Sequence, residues 1–150
     1  MTLAHARHGL ICKMNLTLEF PRSPKEQMAG LVHLPRMADK ARAARDNTLG
    51  EYIYPCPLDE IMLKFMGVDS DTFQHRAGDD MEEALAAWVA TQCRHRSQEE
   101  VIAVNETLLN RQPDNPEKWK KFYEIRDRLD PTRKEITTWV DLIDLEEGRS

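Results

Sequence analysis

Helix-start chemistry recurs along this chain and constrains its fold more than any other feature. The first-turn amides of a helix lack partners within the helix, so a capping oxygen ahead of them marks a start. Ser23-Pro24-Lys25-Glu26 sets a capping serine before a proline at the first helical position, with Glu26 completing a capping box. Cys56-Pro57, Asp69, Asp80-Met81-Glu82-Glu83, Ser97-Gln98-Glu99-Glu100, Asn115-Pro116 and Thr138-Trp139-Val140-Asp141 repeat the theme. Gly67, Gly78, Asp130-Pro131 and Gly148 supply stops.

Apolar periodicity fills the intervals. The Ser23 helix is expected to run toward His33 and to break or kink at Pro35. Beyond it, Leu34, Met37, Ala38, Ala41 and Ala44 form one stripe, with Arg36, Asp39 and Arg42 on the opposite face. Leu58, Ile61, Met62, Phe65 and Met66 make another stripe, and Met81, Leu85, Trp88 and Val89 a third. Val101, Val104 and Leu108 precede Trp119, Phe122, Tyr123 and Leu129. Strand-like alternation is confined to 15–20 and to Glu51-Tyr52-Ile53-Tyr54. The expected fold is therefore all-α: one compact irregular bundle of about seven helices with an extended arm at 15–22. Met1–Lys13 looks unlike the rest of the chain, and Met14 reads as a second start. Residues 1–14 are thus expected to be an extension or tail, and 15–150 a single helical domain.

Charge and cysteine content exclude several function classes. The 150 residues carry a net charge of -5, against wholesale nucleic-acid binding. No apolar run approaches the ~20 residues of a membrane helix. Residues 1–45 hold eight Lys/Arg against three acids, so the remainder is strongly acidic. That asymmetry suits either two complementary packed halves or an anion-holding surface. Cys12, Cys56 and Cys93 are odd in number and widely spaced, without a zinc-ligand pattern, which suits a reducing cytoplasm. Nucleotide-loop, serine-hydrolase and zinc-protease motifs are missing, so neither cofactor nor metal is expected.

Several segments together carry a resemblance. They are Pro21-Arg22-Ser23-Pro24, the run from Gly30 to Ala44, Leu49-Gly50-Glu51-Tyr52 with Pro57-Leu58-Asp59, Arg126–Pro131, and Thr137–Arg149. In these the chain resembles an uncharacterised bacterial family known as domain of unknown function 5069, over roughly residues 15–149. The resemblance implies a small cytoplasmic protein and supplies no activity.

Three constellations carry chemistry. Arg36, Asp39, Lys40 and Arg42, with Glu51 and Tyr52 a loop away, set three cations around one carboxylate. Such a group holds an anion while Asp39 orients a guanidinium or acts as a base. Helical spacing alone equally describes a solvated face of short-range ion pairs. Cys56, ahead of Pro57 at a helix start, is the best reactive-thiol candidate, with packing as its ordinary role. Asp141 and Asp144 have a spacing that suits a divalent cation, and equally a charged first turn. Two functional expectations emerge. In one, a small anionic ligand is bound by Arg36, Arg42, Tyr52 and Trp139. It is turned over without a cofactor by Asp39, Lys40, Glu51 and Cys56, through proton transfer or hydrolysis. In the other, the chain is a non-catalytic interaction module, as a homodimer.

Overall fold

A computed structural model describes residues 13–149; the expected tail therefore lies almost wholly outside the described residues, as does Cys12. Among the described residues there are seven helices: α1 (Leu34–Arg45), α2 (Pro57–Met66), α3 (Ser70–Asp79), α4 (Glu82–Gln92), α5 (Gln98–Leu109), α6 (Pro116–Leu129) and α7 (Trp139–Glu146). One two-stranded hairpin, β1 (Gln27–Met28) and β2 (Leu31–Val32), joins them. The chain is thus mostly α, as its caps and stripes require. Asp69, Ser97, Asn115 and Thr138 each accept from the backbone N–H three residues on.

Helix α1 is the centre of the molecule. All ten residues from Leu34 to Ala43 are buried, including both faces of the helix. Met37, Ala38 and Ala41 pack with Phe73 and Ala77 of α3, and the alanines permit that close approach. Leu58, Met62, Leu85, Val89 and Leu108 close the same core. A second cluster joins α6 to α7: Phe122 meets Trp119 and Trp139 at ring-centroid distances of 5.6 and 5.2 Å.

Three local expectations are corrected. No helix forms after Ser23. The cap chemistry is present, with Lys25 N–H donating to Ser23 Oγ and Ser23 N–H to Glu26. The chain then turns through Ala29 (φ 52°) and Gly30 (φ 81°), which pairs Gln27 with Val32. The deciding partner is distant: Asn105 of α5 accepts from Val32 N–H and donates to Gly30 C=O. Pro35 produces no kink, because α1 begins at Leu34 and places the proline in its first turn, where no amide is needed. The segment 15–22 opens with a turn at 15–19 rather than forming an extended arm throughout: Leu18 N–H and Glu19 N–H both donate to Asn15 C=O.

Candidate functional site

The charged residues of α1 before Arg45 are buried without being clustered on one anion. Arg36, Asp39, Lys40 and Arg42 are 1–4% exposed, so each needs a partner. Asp39 is paired chiefly with Arg22, which reaches it through its backbone N–H, Nε and Nη2 at 2.9–3.1 Å. Burial alone would lower the Arg22 pKa, but Asp39 and Glu82 outweigh it and the guanidinium stays charged. Arg42 gives Nη1 to Glu82 and Nε to Ala77 C=O. Arg36 makes a two-pronged bond to Glu147 at 2.9 Å on each prong. Tyr52 lies under that guanidinium and donates its hydroxyl to Glu147 at 2.8 Å. Burial and the neighbouring carboxylate push the Tyr52 hydroxyl up to about 12. Three cations around one carboxylate is therefore not the arrangement found; every α1 cation has its own acid.

Lys40 points to a different place, and there the chemistry concentrates. Its Nζ lies 2.7 Å from Asp59 Oδ2 and 3.1 Å from Cys56 Sγ. The other Asp59 oxygen lies 2.6 Å from His33 Nε2, and Cys56 N–H donates to Oδ2 at 2.9 Å. Asp59, His33 and Lys40 are almost wholly buried, and Cys56 is half-buried. Burial would raise the Asp59 carboxyl, yet the hydrogen bond from His33 and the charge of Lys40 hold it at about 2. Burial lowers His33, which outweighs its hydrogen bond to Asp59. Nε2 is the ring nitrogen that donates to the Asp59 carboxylate. The ring's Nδ1 is buried with no hydrogen-bond partner among the described residues. The local sequence explains the convergence. Cys56 precedes Pro57 at the start of α2, Asp59 sits in the first turn, and left-handed His33 (φ 72°) opens α1.

Two cavities divide the residues singled out from sequence. The larger, about 800 Å³, is lined by Arg36, Glu51 and Tyr52 together with Glu19, Glu146 and Glu147. The one cation among these lining residues is engaged by Glu147, so the cavity's charge opposes an anionic ligand. The smaller, about 340 Å³, is lined by Cys56, Leu58, Arg111, Lys118, Trp139 and Ile143, among others. Lys118 pairs with Asp114 at 3.1 Å, whereas the Arg111 side chain makes no ion pair among the described residues. The Arg111 carbonyl accepts from Trp139 N–H, which ties this linker to α7. Ile143 of α7 borders both cavities. Asp39, Lys40 and Arg42 line neither and act from behind the walls. Asp141 and Asp144 face Lys25, and Asp144 also takes Arg149 and the Ser23 hydroxyl; cations already fill that spacing.

Sequence reasoning missed Asp59, Arg111 and Lys118 as site residues. Asp59 had one local signal, its position three residues after Cys56, which reads equally as capping. The others meet the site only through tertiary contacts.

No curated protein matches the chain. Residues 18–149, nearly all of the structure described, match the family described as Domain of unknown function (DUF5069), and the chain belongs to that family.

Proposed function

We propose that this protein is a cofactor-independent enzyme that binds a small anionic molecule in the smaller cavity and attacks it with Cys56. The observation that carries this reading is the Cys56 sulfur. It is 3.1 Å from a buried ammonium and on the wall of a cavity bearing Arg111 and Lys118. Ammonium groups and helix N-termini are the features that keep reactive cysteines as thiolates. Asp59 and His33 act as positioning residues, since Asp59 bonds Lys40 and the Cys56 amide at once.

The reaction class that fits is hydrolysis of an activated acyl group on an anionic substrate. Sγ attacks the acyl carbon, an S–C bond forms, and the bond to the leaving group breaks as that group takes a proton from water or Lys40. Water then cleaves the thioester, releasing the acid and restoring the thiol. Arg111 holds the anionic end, while Lys118 is engaged by Asp114, and Trp139 supplies an apolar face. A reducing cytoplasm is the compartment in which such a thiol stays usable.

Alkylation at pH 7 tests it, with Cys93 as internal reference because burial pushes its thiol up. Cys56 is expected to label about tenfold faster or more, with anionic iodoacetate favoured over neutral iodoacetamide relative to Cys93. Equal or slower labelling refutes the thiol reading. Exposed Leu18, Phe20 and Ile53 support the second reading, a non-catalytic homodimer module. An unreactive Cys56 in a chain that sediments as a dimer would select it.

A further inference from the structure

We propose that His33, Cys56 and Asp59 form a site for a thiophilic divalent cation of the zinc class, which competes with the Lys40 ammonium and silences Cys56. The proposal rests on the thiol reading only for that last consequence; the metal site stands on its own geometry.

One ligand atom from each of the three residues lies within 4.8 Å of the other two. Zinc bonds of about 2.0–2.3 Å place tetrahedral ligand atoms roughly 3.3–3.8 Å apart, so the cage needs to adjust by about 1 Å. Linear spacing hides the set, because His33 opens α1 while Cys56 and Asp59 open α2. Rigid helix starts hold all three. The cage already holds a cation, with Lys40 Nζ against both Asp59 and Cys56. Ligation engages His33 through Nε2, the nitrogen that faces Asp59, so the ring proton passes to Nδ1, which has no partner among the described residues. Sulfur and imidazole together select zinc-class ions over magnesium and calcium. Cys56 on the cavity wall provides the route in.

The test uses the full chain with zinc alone, cobalt as its coloured substitute, and magnesium as control. Zinc is expected to bind one per chain and to protect Cys56, not Cys93, from iodoacetate at about 100 µM or below. Cobalt is expected to show a thiolate charge-transfer band, which Cys56→Ser removes while weakening zinc by about tenfold to a hundredfold. Lys40→Met removes the competitor and is expected to tighten zinc by roughly tenfold or more. Should that variant fail to fold, the cobalt band and its loss in Cys56→Ser decide alone. Absent protection, or zinc binding unchanged in Cys56→Ser, overturns the proposal. Fast labelling without zinc protection sinks the metal site and spares the nucleophile. Slow labelling with a cobalt–thiolate band does the reverse.

Discussion

Asp39→Ala separates a solvated helix face from a buried charge network more sharply than any other single change. The Asp39 side chain is 3% exposed, accepts three hydrogen bonds from Arg22, and lies 3.9 Å from Arg42 Nη1. Arg42 is 1% exposed and, among the described residues, keeps only Glu82 as an acidic partner once Asp39 is gone. Removing one partner of a buried pair costs about 3–5 kcal/mol, because the surviving charge stays out of water. Arg22 is one-third exposed and regains some solvation, which places the expected loss near 3 kcal/mol. Asp39→Asn keeps the shape and an acceptor for the Arg22 amide, so about 2 kcal/mol is expected. Urea unfolding at pH 7 measures both, with the midpoint shifted and the slope unchanged. The loss should persist at high salt, since a buried pair is weakly screened. An exposed pair contributes at most about 1 kcal/mol, so a loss below that for Asp39→Ala refutes the reasoning.

Two further outcomes rest on the same structure. Glu147 holds Arg36, Tyr52 and Arg149, and these outweigh its burial to keep its carboxyl below the ordinary value. A depressed carboxyl stabilises the fold above its unfolded value of 4.5, and that contribution is lost as pH falls through the lower folded value. Glu147→Gln is therefore expected to cost about 2–3 kcal/mol at pH 7 by urea melts, with the gap to wild type narrowing as pH falls below about 4.5. A gap that is constant with pH contradicts the pairing. Asn105→Ala removes both side-chain bonds to the hairpin and is expected to cost about 1–2 kcal/mol, with amide exchange accelerated at Val32. Unchanged exchange at Val32 would mean that the hairpin holds itself.

The sequence by itself determined the helices from α2 to α7, because a start residue and a 3.6-residue stripe are local properties, although α4 begins after Met81 without the capping bond expected of Asp80. Asp69, Ser97, Asn115 and Thr138 sit where their spacing put them. Cys56 was also legible, as a sulfur at a helix start. Tertiary structure alone decided the segment from Ser23 to His33, where the capping box forms and Asn105, 73 residues from Val32, holds residues 27–32 as a hairpin. It alone decided that α1, legible as the Leu34–Ala44 stripe, is buried on both faces. A face of Arg36, Asp39 and Arg42 reads as solvated by polarity, and it is buried because Arg22, Glu82 and Glu147 arrive from elsewhere to pair it. The same physics separates Lys40 from its neighbours on the helix. Which carboxylate a buried ammonium meets depends on which helix packs against it, and α2 brings Asp59 and Cys56. Local spacing specifies where a side chain leaves its own helix; the partner it meets belongs to the packing of others.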